Sequence, residues 1–390
     1  MSSLHPFIQK NLRNSTVEWR ELEDVVLIKT GQSISKQIIF QNQGRYPVIN
    51  SGREPLGFIN SWNTDNDPIG ITTRGAGVGS ITWQEGKYYR GNLNYSVTII
   101  DHTKVNTKYL YHLLLSMQVE IQKLCTLDGI PALNSSNLKK LLIPLPPLPI
   151  QEEIASILDK FAELKAELKA ELKARQKQYE YYRNSLIGLH TLSRCSLNEI
   201  GVIVRGNGLT KKDLIESGMG CIHYGQIYTH YKTFTYNTKS FVSLQTATTL
   251  KKVSKNDLII AVTSENIDDI CKAVAWLGDE DIVTGGHTAI FKHNQNPKYL
   301  AYYFQSQDFY DQKRKLAHGT KVMEVTPSKL EKIKIPLPSL TEQARIVAIL
   351  DKFESLITDI STGLPAEIEK RQAQYEYYVN KLLTFKELSP

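Results

Sequence analysis

Residues 144–161 read PLPPLPIQEEIASILDKF, and residues 336–353 read PLPSLTEQARIVAILDKF. The two stretches agree at 11 of 18 positions without a gap, at an offset of 192. Farther along, RQKQYEYY (175–182) faces RQAQYEYY (371–378), seven of eight, at an offset of 196. The second copy therefore holds four extra residues between ILDKF and RQ. A repeat of this length decides the architecture before any single element does. Fainter matches extend it: NLKKLLIPLP (137–146) with KLEKIKIPLP (329–338), NTKYL (106–110) with NPKYL (296–300), and LEDVVLIKTG (22–31) with LNEIGVIVRG (197–206). Between these anchors the copies part: TTRGAGVGSITW has no counterpart in VTSENIDDICKAVAW. The chain divides into 1–143, 144–190, 191–335 and 336–390, two unlike blocks alternating with two alike segments. One scaffold presenting two different readers fits this order. A duplicated enzyme would keep its catalytic residues in both copies.

The alike segments read as helical. Pro144, Pro146, Pro147 and Pro149 mark an extended entry, so the first helix is expected from about Gln151 to Gly188, roughly 55 Å at ~1.5 Å per residue. Ile154, Ile157, Phe161, Leu164 and Leu168 follow the 3–4 spacing of a coiled-coil seam, and Tyr179, Tyr182 and Leu186 continue the apolar face. Inside it stands AELKAELKAELK (162–173). At ~100° per residue, Leu164, Leu168 and Leu172 form one stripe, with Glu163, Glu167 and Glu171 on one flank and Lys165, Lys169 and Lys173 on the other. A partner helix against the leucines explains that arrangement better than a solvated helix does. The second copy carries Gly363 and Pro365, which predict a break and then a helix through Arg371–Leu383. Symmetry suggests that the two helices pair antiparallel, with Phe161 and Phe353 at matched positions. The long blocks read as mixed α/β, with short strands such as DVVLIKTG, PIGITTRG and DLIIAVTS bounded by Gly, Asn and Asp. Each block ends in a helical pattern, KYLYHLLLSMQVEIQKL (108–124) and KYLAYYFQSQDFYDQKRKL (298–316). The fold class is α+β.

The 390 residues are 41% hydrophobic and 22% charged, ordinary for a globular protein, and no apolar run reaches the ~20 residues of a membrane span. The opening MSSLHPFIQKNLRN lacks a secretory h-region, and the cysteines (Cys125, Cys195, Cys221, Cys271) have no CxxC spacing, so a cytoplasmic protein with reduced thiols is expected. The net charge of +7 is unevenly spread. Residues 1–143 hold 15 basic against 11 acidic side chains and residues 191–335 hold 19 against 14, while 144–190 is balanced at 7 each and 336–390 holds 6 against 8. A polyanion would be drawn to the two long blocks.

No catalytic set assembles. GAGVGS (75–80) lacks the spacing and the following acid of a nucleotide cradle and occurs in one block only. NPKY (296–299) resembles the catalytic tetrad of amino-methyltransferases. Its counterpart reads NTKY, however, and Pro297 suits the first turn of a helix. The nine histidines show no metal-ligand spacing, and no P-loop is present. The chain reads as non-enzymatic.

The doubled PLPxLxxQ…I…ILDKF and RQxQYEYY patterns, alternating with two variable blocks, resemble the specificity (S) subunit of type I restriction–modification systems over nearly the whole chain. The resemblance implies two target recognition domains, each binding one half of a bipartite double-stranded DNA site, and two helices pairing as a spacer. It further implies two docked methyltransferase (M) subunits supplying S-adenosylmethionine and adenine methylation, and motor-nuclease (R) subunits using ATP and Mg. On that footing, side chains suited to bases and phosphates are Lys36, Arg53, Arg74, Lys87 and Arg90 in the first block. In the second they are Lys211, Lys212, Tyr224, Gln226, Lys232 and His287, with Lys321 on phosphate. Gly75, Gly77 and Gly79 would let backbone approach DNA. The competing reading is a coiled-coil adaptor that joins proteins without binding nucleic acid; it leaves the two unlike basic blocks without a role. The tetrads then read as a ruler between two DNA readers.

Overall fold

The computed structural model describes residues 16–52, 54–126, 129–188, 193–359 and 361–385. The chain forms two compact units, one of residues 1–169 with 367–390, the other of residues 170–366. The division falls inside a single helix, Leu148–Ile187, and within its AELK repeats. That helix begins three residues earlier than its prolines suggest, because Pro149 sits in the first turn, where its missing N–H costs nothing. The extended entry survives as the strand Leu142–Leu145, which pairs antiparallel with Glu18–Glu21.

Unit 1 holds two four-stranded sheets. One runs in the order Val26–Thr30, Asn94–Ile99, Ile69–Thr72, Ile81–Trp83, antiparallel throughout; the other runs Phe58–Ile59, Gln43–Ile49, Lys87–Arg90, Thr64–Asp65. The predicted terminal helix is two helices, Thr107–Ser116 and Gln118–Lys123, broken at Met117. Leu110, Leu113 and Leu114 of the first bury against Ile69, Ile71, Ile150 and Ile154. Three side chains bind this block to the spacer. Gln151, 1% exposed, accepts from the Asn106 N–H at 2.9 Å and donates to the carbonyls of Pro146 at 2.7 Å and Lys104 at 2.9 Å. The Tyr109 hydroxyl donates to the Pro144 carbonyl at 2.8 Å. His112 Nε2 lies 2.8 Å from Asp159 Oδ1, and burial holds the imidazole below its usual pKa. The C-terminal helix Leu364–Leu383 completes the unit. Phe161 stacks on Tyr378 at 4.9 Å, Lys165 donates to Gln372, and Leu382 and Leu383 are buried in the same core as Ile154, so the two helices run antiparallel.

Unit 2 repeats the plan. Its larger sheet has the order Gly201–Arg205, Thr288–His293, Leu258–Ala261, Ala273–Trp276, Phe234–Thr235, and its smaller one Ser240–Val242, Met219–Ile222, Ile282–Thr284, Lys251–Val253. Helices Pro297–Tyr303 and Gln307–Leu316 replace the single predicted helix, with Asn296 and Ser306 as N-caps. Pro297 takes the first helical position, as its sequence context predicts. Gln343 repeats Gln151, accepting from the Asn296 N–H at 3.0 Å and donating to the Pro338 carbonyl at 2.9 Å. Tyr299 repeats Tyr109, donating to the Pro336 carbonyl at 2.9 Å. Where unit 1 has His112, unit 2 has Tyr302, which donates to Asp351 at 2.7 Å and Glu354 at 2.9 Å. The spacer helix Leu340–Thr358 ends just before Gly363 and Pro365, as predicted. Phe353 on it stacks with Tyr182 of the long helix at 5.4 Å. Thus each ILDKF phenylalanine stacks on the last tyrosine of the other copy's QYEYY. Leu172 packs on the core of unit 2, and Leu164 and Leu168 are half-buried.

The glutamine clamp is a sharp stability test. Gln151→Leu keeps the volume but strands buried backbone groups, each worth about 1–3 kcal/mol. It is expected to lower the stability of unit 1 by about 2–4 kcal/mol, and Gln343→Leu that of unit 2 by a similar amount. Denaturant titration with a probe in each unit reads this; unchanged midpoints would show the clamp to be dispensable.

Candidate nucleic-acid interface

The two units can be compared strand for strand. In unit 1 the central strand Ile69–Thr72 runs on through Thr73, whose N–H donates to the Leu93 carbonyl at 2.9 Å, to Arg74, which bridges Ala132. In unit 2 Leu258–Ala261 runs on through Val262, whose N–H donates to the His287 carbonyl at 2.9 Å, to Thr263, which pairs with Glu324. Arg74 and Thr263 are therefore matched positions, as are Leu93 and His287. Beyond this strand end the copies read GAGVGS (75–80) and SENIDD (264–269), with no common pattern.

In unit 1 Arg74 is exposed and opens the glycine turn. Gly75 has a φ of 92°, and a Cβ there would meet nothing within 4 Å. Gly79 differs: at a φ of 77°, its Cβ would lie 2.9 Å from the Gln122 side chain, so it is required by packing inside the unit. Gly77 faces the Ser51 carbonyl, its Cβ position 3.1 Å away. Lys36 opens the short helix Lys36–Gln41, whose Ile39 buries against Val48 and Ile59. Lys87 lies over the Trp62 ring at 4.4 Å. Both are exposed, but Lys87 belongs to the sheet of Gln43–Ile49 and Lys36 to the helix whose Ile39 packs on it, not to the strand end that carries Arg74. Arg53 lies outside the described residues.

Arg90 is a correction. It is 3% exposed, and its guanidinium ties strands together from within. Nη1 donates to Asn94 Oδ1 at 2.6 Å and to the carbonyls of Tyr95 at 2.9 Å and Ile69 at 3.2 Å, and Nη2 donates to the Asp67 carbonyl at 2.7 Å and to the Tyr88 hydroxyl. Burial pulls its pKa down, against the opposing pull of Tyr88 and Asp67. Alternation along KYYR could have shown this, since Arg90 shares the inward face with Tyr88. Unit 2 fills the matched position with Thr284, also buried.

In unit 2 the strand end is a pocket of about 300 Å³ whose lining includes Tyr224, Glu265, Asn266 and His287. The Tyr224 ring stands 4.7 Å from His287 and 4.5 Å from His223. Burial, with Lys211 and His287 nearby, holds His223 below its usual pKa. Lys211, Lys212 and Lys321 are exposed, and Lys321 adjoins the pocket residue Val322. The structure thus brings together Tyr224, His287, Lys211 and Lys321. Two further expected residues have partners inside the unit. Gln226 is consumed by helix capping, accepting from the His223 N–H at 3.1 Å and donating to Ser240 Oγ at 2.6 Å. Lys232 donates to the Thr358 carbonyl at 2.8 Å, at the C-terminus of the spacer helix, where a cation complements the helix dipole. Thr263, Glu265 and Asn266 escaped a sequence search aimed at cations, although VTSEN directly follows the buried strand LIIA.

Among the described residues no group of three or more His, Cys, Asp or Glu could hold a metal, and no helix is long and apolar enough to cross a membrane.

A family model for the type I restriction modification DNA specificity domain matches the chain twice, over residues 14–175 and 194–370. A putative type I restriction enzyme specificity subunit of Haemophilus influenzae is 29% identical, covering 99% of this chain and 100% of the relative. A type I restriction enzyme specificity subunit of Escherichia coli is 33% identical, covering 74% of this chain and 73% of the relative. The crystal structure of a type I restriction–modification S subunit from M. genitalium shares the fold, with a TM-score of 0.61 at 17% identity, covering 96% of this chain and 98% of that one.

If Arg90 is a structural strut, Arg90→Ala destabilises unit 1 by about 3 kcal/mol or more, as loss of one partner from a buried charged network does. A thermal melt reads this. An unchanged melt combined with altered DNA preference would return Arg90 to the interface.

Proposed function

Because the chain belongs to the type I restriction–modification DNA specificity family, we propose that its two units read the two halves of one bipartite duplex DNA site. Each target recognition block contributes one reader, and the chain itself performs no chemistry. Two methyltransferase subunits dock on it and bring S-adenosylmethionine for adenine methylation. Motor-nuclease subunits join them with ATP and Mg, in the cytoplasm. The observation that carries this reading is the pair of matched strand ends. One scaffold, repeated down to its clamping glutamines and tyrosines, presents Arg74 in one copy and the Tyr224–His287 pocket in the other. Arg74 suits the O6 and N7 acceptors of guanine. Lys36, Lys87, Lys211, Lys212 and Lys321 suit phosphates, which position the protein without carrying sequence information. A similar fold, at a TM-score of 0.61 and 15% identity, occurs in a structure of type I restriction–modification complex assembly, which supports the docking of partners.

Selection from a random duplex pool, with the chain alone and with its methyltransferase subunits, tests the proposal. Enrichment of two short sequences at a fixed gap is expected, and no enrichment in either sample refutes it. Lys211→Ala with Lys212→Ala should weaken binding to all sequences alike and reduce the salt slope by about 2.

The tetrads set the gap. One AELK adds ~6 Å and a net rotation of ~40° to the helix, against ~3.4 Å and ~35° for one base pair. Removing or adding one tetrad is expected to change the gap by one or two base pairs and leave both half-sequences unchanged. A methylation-motif survey that finds the same gap overturns the ruler.

A further inference from the structure

The pocket at the strand end of unit 2 has a polarity opposite to that of a phosphate site. Glu265 stands at it exposed, with no partner among the described residues. Asp269, also in the lining, is held by Asn266, whose Nδ2 donates to Asp269 Oδ2 at 2.9 Å while its Oδ1 accepts from the Asp269 N–H at 2.8 Å. Lys272 Nζ lies 3.8 Å from Asp269 Oδ1, so Glu265 is the carboxylate left to repel a phosphate and to accept from an amino group.

The donor of the site is fixed by its neighbour. His287 Nδ1 lies 2.9 Å from the Thr263 hydroxyl. Thr263 is 6% exposed, and its hydroxyl has no other partner among the described residues. A buried hydroxyl must place its proton somewhere, and Nδ1 is the acceptor within reach. We assign Thr263 as the donor and Nδ1 as the acceptor, the tautomer that keeps the buried hydroxyl's proton bonded and puts the ring N–H on Nε2. His287 so presents an N–H donor beside the Glu265 acceptor, with the Tyr224 ring 4.7 Å from the imidazole. Arg205 does not neutralise the pocket. Its Nη1 is paired with Glu324 at 2.5 Å, and its Nε donates to the Gly286 carbonyl at 3.1 Å, which steadies the turn carrying His287.

We infer that the Glu265–His287 pocket is the base-reading site of unit 2, and that it takes the major-groove edge of a base bearing an exocyclic amino group, adenine or cytosine. Glu265 accepts from the amino group, and His287 Nε2–H donates to a purine N7 of the same base pair. Both donor–acceptor sets occur in the major groove, on A·T through adenine alone and on G·C through cytosine N4 with guanine N7. Lys211, Lys212 and Lys321 are left to the phosphates. The inference rests on the proposed recognition of a bipartite DNA site.

The test is Glu265→Gln and, separately, His287→Ala in the full-length chain with its methyltransferase subunits, each carried through selection on the same randomised duplex pool as the parent chain. Glutamine can donate as well as accept, so Glu265→Gln should relax discrimination at one base-pair position by about 5- to 150-fold, the equivalent of 1–3 kcal/mol. That position lies in one half-site, the other half keeps its sequence, and the base preferred by the parent chain there is adenine or cytosine on one strand. His287→Ala should relax the same position or its neighbour. Glu265 is exposed and unpaired, so the melting curve of Glu265→Gln should superimpose on the parent's. Unchanged preferences at every position overturn the inference while leaving bipartite recognition intact. So does uniformly altered binding to all sequences, which is the signature of a phosphate contact. A parent chain that selects no motif overturns the recognition reading itself, and this inference with it.

Discussion

A stacked phenylalanine and tyrosine close each unit, and the rest of the structure depends on how those pairs are drawn from the sequence. Phe161 meets Tyr378, and Phe353 meets Tyr182. In both, a residue of ILDKF meets a residue of the other copy's QYEYY. Unit 2 is one continuous stretch, residues 170–366, whereas unit 1 needs residues from both ends of the chain. Closing so long a loop costs entropy that grows only with the logarithm of its length, so the arrangement is thermodynamically cheap. Kinetically it is not neutral. Non-local contacts form late, and Leu382 and Leu383, buried in the core of unit 1, follow the whole of unit 2 in the chain. All residues of unit 2 therefore precede the segment that completes unit 1.

The duplication has been kept where side chains satisfy backbone and lost where they face outward. Gln151 and Gln343 make the same bonds to a proline carbonyl and an asparagine N–H, and Tyr109 and Tyr299 cap the same proline carbonyl. A buried carbonyl without a donor is costly, so these positions tolerate little change. One rung down the same helices, His112 and Tyr302 differ, yet both reach the matched aspartate, Asp159 or Asp351. There the requirement is a polar head at the right reach, which two chemistries meet. At the strand ends the Arg74 side chain is exposed while His287 partners the buried Thr263 hydroxyl, and there the copies have no common pattern.

That distinction also sets what could be read from the sequence. The helix break near Gly363 and the N1 role of Pro297 follow from local backbone preference, whereas the repeat comes from comparing the two halves and the antiparallel helix pairing from their symmetry. The start of the long helix was displaced because Pro149 is as compatible with a first turn as with an extended entry. The predicted terminal helices each broke in two, at Met117 and at Ser306, whose hydroxyl caps the second helix by accepting from the Phe309 N–H. Side-chain roles were less legible. Arg90, Gln226 and Lys232 have the composition of DNA contacts, but each hydrogen-bonds to backbone or buried groups supplied by residues remote in sequence or by a helix end. Lys211 and Lys321, exposed and without a side-chain hydrogen bond among the described residues, are picked out by residue type alone.

Charge acts here at two ranges, and the two need not agree in sign. The long blocks carry the chain's basic excess, which draws a polyanion over distances near the Debye length of about 8–10 Å. At hydrogen-bond range the strand end of unit 2 presents the Glu265 carboxylate, which opposes a phosphate but accepts from an amino group. A purely basic surface would hold any duplex and distinguish none. Placing acceptors inside a cationic surround lowers affinity for every sequence and restores it only where an amino donor arrives at the right position, so the same local repulsion that weakens general binding makes the remaining binding selective.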